Sequence, residues 1–378
     1  MTIRSFCAHG TTVPSRKRFF TRYLKWAVLL GVATFFVAGF IAGMAGAQQP
    51  VTATSPGVPP GFASSATARV NYYRAMAKLP PVVNDSAISA GAYNHARYLV
   101  KNGIAGGDIV LDKQRLHSEI PQDAFRWEVK GKPFYTDEGA SAGRSAVVLA
   151  ARKIGLSGAE FVDRLMTMPF SGLIPMVPQF SIVGLGAYCD PGQCAMVIPG
   201  RFALEKSMRI ALYDGPSSDR LWNPSLGLIP LETGRLRAPV EFPPDGATVN
   251  LQSYAGGDYP DPLSSCPGYK APTGTPISIQ LGQGYGPDGS LEVSSSLVTR
   301  DGVETETCLI TAASYAGRNA EQTGFGKAGL VRVGAAVILP REPLASGHYK
   351  VAIKESGKLY EWGFTVATPP GAAHYAPR

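Results

Sequence analysis

Residues 84–103, NDSAISAGAYNHARYLVKNG, decide how the chain is to be read. Asn84 or Asp85 stands where a helix needs its N-cap, and Gly103 stands where the helix should stop. Between them Ile88, Ala92, His95, Ala96 and Leu99 recur at helical spacing and share one face. His95 lies on that apolar face, so it reads as a core histidine satisfied by its neighbours. Asn84-Asp85-Ser86 is formally a glycosylation sequon, but helix capping accounts for it.

Outward from this stretch, the texture from Gly61 to about Gly158 is helical, with further helices expected at about 143–154 and 157–168. After Pro178 it changes. FSIVGLGAYC (180–189) and CAMVIPG (194–200) read as strands of one hairpin, turned by Asp190-Pro191-Gly192-Gln193. Residues 200–240 are mixed and Pro-rich and declare no element. From about Pro239 the signals are all-β. Ile277, Ile279 and Leu281 alternate with polar residues, as do Leu291, Val293, Ser295 and Leu297, then Tyr349, Val351 and Ile353, and finally Tyr360, Trp362, Phe364 and Val366. Short alternating runs between Gly/Pro turns predict a β-sandwich. No internal repeat is present.

The chain has 378 residues and a formal net charge of +8. Residues 1–50 hold six Lys/Arg and no Asp/Glu, which leaves 30 basic against 28 acidic side chains in the remainder. The basic excess thus belongs to the N-terminus, and a nucleic-acid partner loses its main support. Trp26 to Ala47 is uncharged, follows the basic cluster, and ends in Ala45-Gly46-Ala47. That is the layout of an export signal cleaved near Gln48, and its length also suits an uncleaved membrane anchor. Either way the rest is expected outside the cell or in its envelope, touching a membrane only through this segment.

Cysteine usage agrees with export. Cys7 precedes the apolar run and is expected unpaired. The other four permit three pairings. Cys189 and Cys194 flank the hairpin turn, which makes their bridge the simplest choice and leaves Cys266 to pair with Cys308. Neither pair has the short ligand spacing with nearby His that a zinc site needs.

Three patterns could carry chemistry. Gly139-Ala140-Ser141-Ala142-Gly143 matches a hydrolase elbow, but the polar Tyr135-Thr136-Asp137-Glu138 before it is no strand; small residues that let a helix pack closely explain it better. Gly282-Gln283-Gly284-Tyr285-Gly286 follows a strand and precedes Pro287-Asp288-Gly289, so it reads as a loop and not a phosphate cradle. His117-Ser118-Glu119, with Glu138 further on, is the remaining imidazole–carboxylate grouping before residue 200; such groups hold zinc or shuttle protons, or stand solvated on a surface.

The runs NYYRAMAKLPPVVNDSAISAGAYNHARYLVKNG (71–103), LHSE (116–119), FYTDEGASAG (134–143), FVDRLMTMPF (161–170) and FSIVGLGAYC (180–189), in this order, resemble the bacterial branch of the CAP superfamily. That superfamily comprises cysteine-rich secretory proteins, antigen 5 and pathogenesis-related proteins. The resemblance covers roughly residues 65–200. It implies an α-β-α sandwich with a cleft lined, in many members, by two His and two Glu that can bind a divalent metal. His117 matches the first cavity His, and Glu138 resembles the Glu of the family's Gly-Glu-Asn motif. The second His belongs thirteen residues before Gly184, where this chain has Ser171. Nothing near Leu165 matches the other Glu. With half the tetrad missing, the cleft is expected to hold metal weakly or not at all, and no cofactor is implied.

The expectation is therefore an α+β protein, an α-β-α sandwich followed by an all-β immunoglobulin-like sandwich. Its division is a signal peptide or anchor at 1–47, a linker at 48–60, a CAP-like domain at 61–238, the β-sandwich at 239–368 and a disordered tail at 369–378. The resemblance implies a non-enzymatic protein binding an extracellular lipid, sterol or cell-wall component in a cleft containing His117, Glu119, Glu138 and Ser171. The alternatives are a hydrolase of peptide or cell-wall material working through His117 and Glu138, and a structural envelope protein with a vestigial cleft.

Overall fold

Asp85 caps the decisive helix as its sequence requires: one carboxylate oxygen accepts from the amides of Ala87 and Ile88, both at 2.9 Å. The computed structural model describes residues 58–105, 125–144, 146–151, 155–202, 213–214, 235–282 and 289–367. The apolar run 26–47, Cys7, the linker up to residue 57 and the tail from 368 lie outside them. Among the described residues no helix is long and apolar enough to cross a membrane.

The helices are α1 (Phe62–Met76), α2 (Ser86–Lys101), α3 (Asp137–Arg144), α4 (Gly158–Met166) and α5 (Ala320–Val333). The first strands are β1 (Val83–Asn84), β2 (Ala146–Ala151), β3 (Phe180–Val183), β4 (Gly186–Asp190) and β5 (Gln193–Phe202). They form one sheet in the order β1-β3-β5-β2, with β4 also paired to β5. Alternation sorts its side chains onto two faces. Leu149, Met196 and Ile198 join Phe62, Ala66, Val70 and Tyr73 of α1 and Phe161, Val162 and Leu165 of α4. Ala146, Ala150, Ala195 and Val197 join Ala92, Ala96 and Leu99 of α2. The sheet thus lies between two helical layers, each buried large apolar side chain contributing about 1.5–3 kcal/mol. Gly186 permits the approach of α2, since a Cβ there would meet the backbone of Tyr93 at 2.2 Å.

One expected helix is corrected. The segment read as helical over 143–154 holds the end of α3 and then the strand β2. Val147 and Val148 are β-branched and stiff, and β2 pairs with β5 from Ala146↔Pro199 to Ala151↔Cys194, a long-range ladder that local periodicity does not reveal. The third helix appears as expected, with Ser157 and Glu160 forming a reciprocal capping box.

The later strands are β6 (Tyr213–Asp214), β7 (Arg235–Phe242), β8 (Thr248–Val249), β9 (Ser253–Tyr254), β10 (Thr273–Gly274), β11 (Ile277–Gly282), β12 (Val293–Arg300), β13 (Val303–Glu304), β14 (Thr307–Ile310), β15 (Ala335–Pro340), β16 (Gly347–Glu355) and β17 (Lys358–Val366). Two five-stranded sheets result, β14-β15-β11-β7-β6 and β13-β12-β16-β17-β8, with β9 and β10 as a separate pair. Ile277, Ile279, Leu281 and Ile338 from the first interlock with Val351, Ile353, Trp362 and Phe364 from the second. The region is not all-β. Helix α5 starts at Asn319, whose side chain accepts from the Gln322 amide at 2.8 Å, and stops at Gly334 in the left-handed conformation. Its Leu330 and Val333 are buried.

Strand β7 runs unbroken through positions 238 and 239, and residues 50–378 make one compact unit. Leu236, Val240 and Phe242 of β7, Val337 and Leu339 of β15, and Leu330 of α5 belong to the same core as α1 and α4. Tyr73 meets Phe242 edge-on at 5.8 Å between ring centroids. Both expected disulfides are present. Cys189–Cys194 spans directly paired positions of β4 and β5 with Cα atoms 4.1 Å apart, and Cys266–Cys308 ties the loop after β9 to β14 with Cα atoms 5.8 Å apart.

Candidate functional site

Helix α2 carries His95 into the interior, where it is fully buried. Its Nε2 lies 2.8 Å from the Phe125 carbonyl, which can only accept, so Nε2 carries a proton. Its Nδ1 lies 3.0 Å from Oε1 of buried Glu128. One proton is shared on that second contact, whether the pair is written as imidazolium and carboxylate or as imidazole and carboxylic acid. The other Glu128 oxygen accepts from the Thr136 amide at 3.1 Å. Both ring nitrogens are consumed, leaving neither a lone pair for metal nor a free site for proton transfer. His95 is the satisfied core histidine its helical face predicts.

The small residues of GASAG make this arrangement possible. A Cβ on Gly143 would stand 2.3 Å from the His95 ring, and one on Gly139 2.4 Å from Glu128 Oε1. Ser141 lies exposed within α3, with no strand before it, so the elbow geometry is absent.

Of the four cleft candidates, His117 and Glu119 fall outside the described residues. Glu138 is exposed in the first turn of α3. Ser171 opens the short 3-10 helix Ser171–Met176, and its hydroxyl donates to Asp258 Oδ1 at 2.6 Å. The amides of Phe170 and Ser171 donate to Asp258 Oδ2 at 2.5 and 3.2 Å. Among the described residues, Glu138 and Ser171 make no hydrogen bond with each other, and no group of three His, Cys, Asp or Glu could hold a metal. The Ser171 hydroxyl, engaged by Asp258, is not free to serve as a ligand in the described structure.

Asp258 is the residue that sequence reading missed. It sits in Gly256-Gly257-Asp258-Tyr259-Pro260-Asp261-Pro262, a string of turn formers in which a carboxylate is ordinarily solvated. Here it is buried, and that burial pushes its carboxyl up to about 6, against the opposing pull of its four hydrogen bonds. The fourth is the Tyr259 amide at 2.9 Å, and its own amide donates to the Tyr254 hydroxyl at 3.0 Å. Phe170 meets Tyr315 edge-on at 5.1 Å beside this knot. The β region thus reaches the start of the Ser171–Met176 helix and engages the Ser171 hydroxyl.

Buried Arg74 of α1 fixes the same loop from the other side. It donates to the carbonyls of Pro80, Pro175, Val177 and Pro178, and burial lowers its guanidinium to about 10.

These features define a disulfide-bonded α+β protein with a helix–sheet–helix N-terminal part. Residues 67–149, from α1 into β2, match the family model of CAP, the cysteine-rich secretory protein family, and the match supports CAP superfamily membership for this part of the chain. No curated protein matches the chain. A solved structure of PcoC, a methionine-rich copper resistance protein from Escherichia coli, aligns with 34% of this chain and 93% of its own at 14% identity and a TM-score of 0.18, too slight a likeness to carry a conclusion.

Proposed function

We propose that the chain is an exported CAP-family protein that binds an extracellular lipid, sterol or cell-wall component without chemical turnover, its CAP part braced by an immunoglobulin-like β region. The observation that carries this reading is the engagement of Ser171 by Asp258. A serine bound to a buried carboxylate supplies neither a second metal-ligating imidazole nor a free nucleophile, so metal-assisted hydrolysis lacks its firmly held ion. The engagement of both His95 nitrogens supports the same reading. Two disulfides fit an extracellular protein. In this proposal His117, Glu119 and exposed Glu138 form the polar wall of the ligand cleft, nucleic acid is no partner, and the membrane is met only through residues before 48.

The test is mass spectrometry of what residues 50–378, the compact unit, retain from a lipid and cell-wall extract. Wild type is expected to retain a defined ligand, and a His117→Ala, Glu138→Gln double variant to lose it. Retention of nothing would leave a vestigial cleft in a structural protein. Hydrolysis of an extract component, abolished in the double variant, would overturn the non-enzymatic reading.

A further inference from the structure

The loop leading into α3 meets helix α5. Arg126 of that loop lies with its Cζ 4.6 Å from the centroid of the Phe325 ring, and Phe325 in turn packs on Tyr259 at 5.5 Å. Phe325 and Arg332 are seven residues apart on α5, so they share a face and stand about 10 Å apart along the axis. Helical side chains lean toward the N-terminus, which brings the long Arg332 side chain back toward Phe325 and the guanidinium above it. Between them on this face is Gly329, where even an added Cβ would meet nothing within 4 Å. The floor of the notch is bare helix backbone with open space over it.

Both arginines are half-buried. Burial holds each guanidinium below its ordinary range, and the charge of Arg126 lowers Arg332 further. Among the described residues neither has a hydrogen bond or an ion pair. Glu321, the single carboxylate of α5, is exposed one turn before Phe325 and pairs with neither. Two like charges drawn from water beside each other are costly unless a counter-charge joins them. The cation–π contact with Phe325 engages the face of the ring with the Arg126 charge and leaves the Arg126 N–H donors to take an oxyanion.

We propose that Arg126 and Arg332, with Gly329 between them, form a binding site for a small oxyanion: inorganic phosphate, or the phosphoryl end of a larger ligand. The proposal rests on Arg126, Phe325, Gly329 and Arg332 and stands whether or not the CAP cleft binds a ligand. Its test is thermal melting of residues 50–378 against inorganic phosphate and, in parallel, glycerol phosphate, with ionic strength held constant by chloride. Phosphate is expected to raise the melting temperature by about 3–5 °C at saturation. Arg332→Gln should abolish the rise, and without phosphate should melt no lower than wild type, because it removes the repulsion. Arg126→Lys, which keeps charge but loses the planar fork, should weaken phosphate affinity about tenfold. Protection by inorganic phosphate alone would assign a free anion; protection by both would assign a phosphoryl group. No phosphate effect beyond the chloride control, or an equal rise in Arg332→Gln, would overturn the proposal.

Discussion

The two sheets of the β region are built from similar residues yet live in different surroundings. In β16 and β17 apolar residues alternate with exposed ones: Tyr349, Val351 and Ile353 are buried, while Lys350 and Lys354 face solvent. In β11 and β15 all six residues of each strand are buried, Ser278 and Gln280 included. Gln280 explains why this is tolerated. Its Nε2 donates to the Leu173 carbonyl of the CAP part at 2.9 Å. One sheet has water on its outer face; the other has the CAP part, reached through a shared core and through polar contacts that replace those water would make. The sheet of β11 and β15 is a middle layer, and residues 50–378 should fold as one body.

The largest expected effect comes from Cys266→Ser. The bridge closes a 42-residue separation, worth roughly 4 kcal/mol in the chain-entropy model. Because Cys266 belongs to the core shared with α1 and α4, its loss should lower the melting of the whole unit and leave no residual CAP transition. Asp258→Ala comes next. It strands the buried Phe170 amide and frees the Ser171 hydroxyl, at a cost of about 3–4 kcal/mol in urea unfolding at pH 7.

The pH dependence follows at about 3 kcal/mol. The folded carboxyl of Asp258 is raised to about 6 from 3.8, so the folded state holds this proton more tightly. Its contribution is fully present below pH 3.8 and is lost as pH rises to 6. Glu241, also raised, to about 7, by burial and by Asp245, adds to the same trend. The difference between wild type and Asp258→Asn across pH 4–6 isolates the Asp258 part.

The smallest effects contrast the two sheets directly. Gln280→Ala removes the hydrogen bond to the Leu173 carbonyl and the side chain from a fully buried position, and should cost about 2 kcal/mol. Glu361→Ala, on the solvent face of β17, should cost less than about 0.5 kcal/mol. Equal effects at the two positions would dissolve the distinction between the sheets.

What the sequence discloses and what it hides divide along the same line. Asp85 capping, the hairpin turn and both cysteine pairs follow from residues near one another or from simple counting. The strand at 146–151 was hidden because its partner β5 begins over forty residues later. In β12 the expected alternation through Leu297 slips: a bulge between Val293 and Ser295 turns Val298 inward and leaves Leu297 42% exposed. Helix α5 had one clear signal, the Asn319 cap, within a Gly-rich segment that weakens helical patterning. In the candidate site Ser171 was singled out from the sequence, but its partner Asp258 was not. Nothing in a Gly/Pro turn announces that a region eighty-seven residues away will cover it.

The most direct test of a single shared core is differential scanning calorimetry of residues 50–378. One transition, with calorimetric and van't Hoff enthalpies equal, is the expected result. Two resolved transitions, one of them unmoved by Cys266→Ser, would show that the CAP part and the β region fold independently and would contradict the account.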